Sequence, residues 1–166
     1  MKQLIRSVRC YWAIENDGDH FRFSQELFDM KFPHKVDKIW GYEIWFANDE
    51  IQNYCGKELG FEMGHRCSMH RHFIKDEVFF ISQGRFQIEF GYKDDKSDHQ
   101  VQILSKGERF HVPVGLWHRM TAISPHHQYS TIIEVSTFHR DDDVERLEMG
   151  GPSPHATVLH SSLHDV

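Results

Sequence analysis

The stretch from Gly64 to Gly84, GHRCSMHRHFIKDEVFFISQG, constrains this chain more than any other part of it. It carries His70-x-His72, then Glu77 after four residues, then Gly84 after six more. Residues two apart on a β-strand share a face, so His70 and His72 present two imidazoles together, and Glu77 returns on the neighbouring strand to add a carboxylate. That makes three ligands of a metal site. A second segment, GERFHVPVGLWH from Gly107 to His118, writes a turn with Pro113 and Gly115 and brings in His118 three residues after Gly115. His118 is the expected fourth ligand. A lone H-x-H is a weak signal; the weight lies in two segments that each keep a fixed spacing.

Together these segments resemble the paired motifs of the cupins, G-x5-H-x-H-x4-E-x6-G and G-x5-P-x-G-x2-H-x3-N. Gly64, His70, His72, Glu77 and Gly84 meet every position of the first. Gly107, Pro113, Gly115 and His118 meet the second, whose terminal Asn position is Ala122 here. The resemblance implies an all-β chain, a double-stranded β-helix or jelly-roll barrel, with an N-terminal arm and an irregular C-terminal tail.

The rest of the chain reads as β on its own terms. Arg85 to Phe90 alternates polar and apolar residues with period two, the mark of a strand with one face in a core. Further strands are expected at Ile39–Phe46, Tyr54–Met63, Ser68–His72, Glu77–Ser82, His99–Leu104, Arg109–Val112, His118–Ala122 and Ser130–Thr137, with a turn at Asn48-Asp49-Glu50. Short strands with turn signals every eight to twelve residues suit a sandwich or jelly roll. Residues 1–35 form the expected arm, with a possible strand at Phe21–Phe23 and a short helical pattern at Ser24–Met30. Such an arm either completes a sheet, reaches to a second subunit or packs loosely. Residues 36–148 form the expected barrel and 149–166 the tail. Asp141-Asp142-Asp143 reads as a solvated cap before Val144–Leu147, a short helix or a last extended segment, and Gly150–Pro154 breaks structure. His155, His160 and His164 follow without a strand or helix signal to gather them into a second site.

A chain of 166 residues is most naturally one domain. Its 19 Lys and Arg against 25 Asp and Glu, with no basic run to track a phosphate backbone, argue against nucleic acid. The opening MKQLIRSVRCYWAIEND lacks the apolar core of a signal peptide, and no apolar span suits a membrane helix, so a soluble cytoplasmic protein is expected. Cys10, Cys55 and Cys67 are odd in number and lack C-x-x-C spacing, which suggests reduced thiols.

Three imidazoles and a carboxylate suit one divalent metal ion: Zn, Mn, Fe, Co or Ni. Held this way it keeps open positions, which serve a sugar chelating through its carbonyl and adjacent hydroxyl, or equally dioxygen with a substrate anion. Lys38-Ile39-Trp40-Gly41-Tyr42-Glu43 resembles the [RK]-P-W-G-x-Y-E entry of the phosphomannose isomerase cupins, and Ile133–Thr137 and Asp142–Glu148 are similar to that group's later motifs. Ile39 stands where that group has Pro, and His70 where many of its members have Gln. The resemblance implies a mannose-6-phosphate isomerase-like enzyme of carbohydrate metabolism whose substrate is a sugar phosphate. Glu62 and His111 are then the candidate bases, and Lys57, Arg119, Glu134 and Arg146 the candidate substrate contacts, the cations serving as phosphate anchors. Trp40, Trp45 and Trp117 read as core or barrel-mouth packing. An Fe(II)-dependent cupin dioxygenase and a non-catalytic sugar-binding cupin are the alternatives. A homodimer is expected, since an open two-sheet barrel leaves edge strands to cover.

Overall fold

The computed structural model describes residues 4–6, 11–13, 33–124 and 129–154. The chain divides into two compact units, Met1–Pro33 and His34–Val166. In the first, strands β1 (Leu4–Arg6) and β2 (Tyr11–Ala13) pair antiparallel, an element the sequence does not announce. The Phe21–Phe23 strand, the Ser24–Met30 helical pattern and the three tail histidines lie outside the described residues.

The second unit is built from two antiparallel sheets. One runs β11 (Arg109–Val112), β8 (Glu77–Gln83), β13 (Tyr129–Ser136), β5 (Tyr54–Glu62), β4 (Gly41–Asp49), β3 (His34–Lys38). The other runs β10 (Gln100–Ser105), β9 (Arg85–Gly91), β12 (Trp117–Ala122), β6 (His65–Arg66), β15 (Gly151–Pro152), with β7 (Met69–Arg71) pairing both β12 and β14 (Glu145–Glu148). This is the jelly-roll barrel of the cupins. Among the described residues it is all β, and no helix is long and apolar enough to cross a membrane.

Period-two alternation builds the core. Leu59 and Phe61 of β5, Phe79 and Ile81 of β8 and Ile132 of β13 point inward from one sheet, and meet Phe86 and Ile88 of β9, Leu104 of β10 and Met120 and Ala122 of β12 from the other. Phe61, fully buried, stacks on Trp40 at 4.1 Å between ring centres and meets Phe86 edge-on at 5.3 Å, joining the two layers. The motif glycines are turn residues: Gly64, Gly84, Gly107 and Gly115 have φ of 76°, 82°, 91° and 83°. At Gly84 a Cβ would also fall 2.2 Å from Ser130 Oγ, so the β8–β9 turn admits no side chain on two counts.

Four features depart from expectation. The strand expected over Ile39–Phe46 starts only at Gly41, as β4, because Ile39–Trp40 is the turn that joins it to β3. Gly41 has φ 141° and lies so close to Gly60 that a Cβ would sit 2.0 Å from that carbonyl oxygen. The polar sequence HKVDK hides β3, because an edge strand need not bury a face. Gly150–Pro154 does not simply break structure, since Gly151–Pro152 pairs with His65–Arg66. The turn expected at Asn48–Glu50 falls at 50–53, after β4 has run to Asp49. Val144–Leu147 takes the extended alternative as part of β14.

Because Phe61 is shared by both layers, Phe61→Ala is expected to cost about 3–5 kcal/mol. A lowered urea midpoint with an unchanged slope is the expected reading, and an unchanged midpoint would remove Phe61 from the load it is assigned here.

Candidate metal centre

His70 on β7 and His118 on β12 are direct cross-strand partners, so their rings are neighbours, 4.2 Å apart between centres. His72 leaves the end of β7 on the same face. Its carbonyl accepts the Gly115 N–H at 2.8 Å, which ties the Pro-x-Gly turn of the second motif to the first. Glu77 opens β8 in the facing sheet, between Val112 of β11 and Ser136 of β13. Both sheets thus contribute, and the four side chains converge.

Each imidazole is aimed by its far nitrogen. The Nδ1 of His70, His72 and His118 lies 2.9, 2.5 and 3.0 Å from the backbone oxygens of Ser68, Asp143 and Leu116 respectively. Nδ1–H donates there, which leaves each Nε2 lone pair for the interior, the usual second-shell arrangement of a metal-binding histidine. Ligand atoms of the three histidines lie within 4.8 Å of one another, a group that can hold a divalent metal ion. Glu77 Oε1 lies 3.3 Å from Nε2 of both His72 and His118. Two donors each about 2.1 Å from one ion are about 3.0–3.4 Å apart for octahedral to tetrahedral angles. Both Glu77 Oε1 and His118 Nε2 are buried without a hydrogen-bond partner among the described residues. Orphaned acceptors at that spacing fit a cation.

The electrostatics agree. Burial, then the neighbouring His118 and His72, hold His70 well below the ordinary imidazole range, and burial lowers His72, so both are neutral and able to ligate. Burial pushes the Glu77 carboxyl up, but the Lys75 ammonium together with His118 and His72 outweighs this and holds it well below the usual carboxylate range. Lys75 Nζ lies 2.6 Å from Glu77 Oε2 and 2.5 Å from Glu134 Oε1. One oxygen of Glu77 is therefore occupied and the other left facing the imidazoles.

The loop that carries Lys75 is held by Asp143, whose carboxylate accepts the N–H groups of Phe73, Ile74 and Lys75 at 2.9, 3.0 and 2.9 Å. Asp143 is 4% exposed, so it is not part of a solvated cap, as the acidic run suggests. It is a staple across the ligand loop.

His70, His72, Lys75 and Glu77 line a cavity of about 220 Å³, and Lys57, Glu134 and Arg146 line it with them. The other three sequence candidates point elsewhere. Glu62 is exposed at the end of β5, beside the His65 ring. His111 is exposed on β11, its Nε2 3.0 Å from both Asp76 carboxylate oxygens, and lines a separate groove. Arg119 is buried on the far side of β12, paired with Glu89 and Glu148. Strand alternation explains all three: Lys57 faces inward, so Glu62, five residues on, faces outward; Phe110 and Val112 face inward, so His111 does not; His118 faces inward, so Arg119 does not. The sequence reading passes over Lys75, Asp143, Glu43 and His139, although Lys75 falls between two ligands and two residues from Glu77.

No family model matches the chain. It is 29% identical over 124 residues to acireductone dioxygenase of Homo sapiens and of Macaca mulatta, an alignment covering 73% of this chain and 61% of those relatives. The chain thus spans 61% of the length of the curated relatives it matches. Among solved structures it resembles the capsular polysaccharide assembling protein CapF of Staphylococcus aureus (20% identity, TM-score 0.62, 74% of this chain and 34% of that one). It also resembles KdgF of Halomonas sp. (21%, 0.55, 68% and 96%) and oxalate decarboxylase of Bacillus subtilis (15%, 0.57, 69% and 30%). At these identities the structural likeness shows the fold.

Asp143→Ala should weaken metal binding about 10- to 100-fold, the usual cost of removing an outer-shell support. Competition with a chromophoric chelator measures this. Wild-type affinity in that variant would mean that the 72–77 loop holds its shape without the staple.

Proposed function

We propose that this cupin-fold chain is a metal-dependent enzyme acting on a small molecule, with oxidative chemistry of the dioxygenase kind as the first reading. The observation that carries it is the set of three clustered imidazoles with the Glu77 carboxylate beside two of them, Glu77 Oε1 and His118 Nε2 being buried without a partner among the described residues. The likeness to acireductone dioxygenase supports the oxidative reading. A divalent metal ion held there supplies positive charge and open coordination positions for oxygen ligands.

The chain's own residues set the conditions for that chemistry. The three Nδ1–carbonyl bonds keep each ring in one tautomer and one orientation. Lys75 keeps Glu77 ionised and turns a single oxygen toward the rings. Leu59, Phe79 and Met120 line the cavity with apolar surface, which limits water around the reacting group. At about 220 Å³ the space lies below the ~300–1,000 Å³ typical of drug-sized ligand sites, so the substrate is compact.

Sugar-phosphate isomerisation is the second reading, favoured by Lys38, Lys57 and Arg146, which line the same cavity. With Glu62 and His111 facing away from the cavity, the base in that case falls to Glu134 or Glu43, which line it.

The test is an oxygen-electrode assay of protein loaded with Fe(II), Mn(II), Ni(II) or Zn(II), using acireductone, related hydroxyketones and hexose 6-phosphates, repeated without oxygen in heavy water. Oxygen uptake that requires substrate and drops at least 100-fold in His72→Ala is the expected result. Solvent deuterium appearing in a sugar phosphate without oxygen uptake would transfer the assignment to the isomerase reading. Neither signal across the panel would leave a binding module.

A further inference from the structure

The two sheets of the barrel differ on their solvent sides. On the sheet that carries the histidines, the residues alternating with the core members of β9 and β12 are Arg85, Gln87, Glu89, Arg119 and Thr121, the polar surface of a sheet that faces water. The outward side of the other sheet is apolar. Ile133 of β13 pairs with Phe80 of β8 on one flank and with Glu58 of β5 on the other, and Glu58 pairs with Ile44 of β4. In the next outward row Val135 lies between Val78 and Gly56, and the Phe46 ring lies over Gly56.

The six side chains Ile44, Phe46, Val78, Phe80, Ile133 and Val135 therefore form one patch across four strands. Phe46, Phe80 and Val135 are 53%, 45% and 58% exposed, and the other three are half-buried. The backbone is shaped to keep the patch smooth. A Cβ on Gly56 would fall 2.3 Å from the Phe46 ring, and one on Gly60 2.2 Å from the Tyr42 ring, so both aromatics lie down on β5 only because it has no side chains there. Glu58, the charged side chain within these rows, accepts the Tyr42 hydroxyl at 2.9 Å. A contiguous exposed apolar patch of this kind marks an interaction surface.

We infer that this face packs against the same face of a second copy of the chain, sheet on sheet, about a twofold axis. The area suits such a partner. Six strands about 4.8 Å apart, over about six residues at 3.3 Å each, cover roughly 29 by 20 Å, so two copies bury roughly 1,200 Å², the size of a specific interface. Charge points the same way: each chain carries a net charge of -6, so two copies repel except across a face that holds almost no charge. Aligned sheets packed face to face are also how this barrel builds its own core. The pairing uses the face of the sheet and not its edges. Val78 and Val135 alternate with the inward Glu77 and Glu134, so the interface lies behind the cavity wall and rests on no reading of the metal or the substrate.

Sedimentation velocity of the full chain, from about 1 to 100 μM, tests this. The expected result is a species of twice the 19.7 kDa of one chain. Val135→Lys and Phe80→Lys should each raise the dimer dissociation constant at least tenfold, and Val135→Lys serves if Phe80→Lys does not fold. Val101→Lys, at a residue 59% exposed on β10 of the other sheet, should leave it within threefold. A monomer throughout the concentration range would overturn the proposal and leave the face to a different protein. A dimer unchanged in both lysine variants of the face, or weakened as much by Val101→Lys as by Val135→Lys, would overturn it as well.

Discussion

The centre depends on keeping an ionised carboxylate inside the barrel. Glu77 is 2% exposed, and a lone carboxylate so placed would take up a proton and lose its charge. Lys75 prevents that from two residues away, at 3% exposure, and Glu134 in turn compensates Lys75. The result is a short row of alternating charge in a low-dielectric interior, where each member is stable only because the next is present. Its asymmetry matters to the site, because Lys75 occupies Oε2 and leaves Oε1 toward His72 and His118.

That row is in turn held by a segment far away in sequence. Asp143 binds three successive N–H groups of the loop between β7 and β8, and its carbonyl accepts His72 Nδ1. β14, which begins two residues later, pairs with β7 and carries Glu148, bonded to Arg119 and Lys96 on the outside of the barrel. Arg119 thus acts on the site at one remove. It secures the strand that positions Asp143, and Asp143 secures the ligand loop. An arginine beside a ligand in sequence contributes to the support rather than to the cavity.

Seen from the cavity, the two sheets divide the work. β7, the residue after it and β12 bring three imidazoles; the loop after β7 brings Lys75, between Glu77 of β8 and Glu134 of β13; β5 adds Lys57, with His139 in the loop after β13.

The barrel and the four converging donors were legible because both are local patterns. Period-two alternation marks each strand, and H-x-H, x4-E and P-x-G-x2-H fix relative placement within a hairpin or across one turn. The same alternation, carried through, would have turned Glu62, His111 and Arg119 outward, since each is an odd number of residues from an inward neighbour on its own strand. Strand pairing decided the rest. Asp143 reads as one of three solvated acids until β14 lies against β7, and β3 and β15 are strands only because β4 and β6 offer them an edge. His139 reaches Trp45, and Lys57 meets Glu134, through partners some 77 to 94 positions away in the chain. Sequence patterns report the face on which a side chain lies; only the tertiary structure brings distant faces together, and the charge of a buried group depends on that neighbourhood.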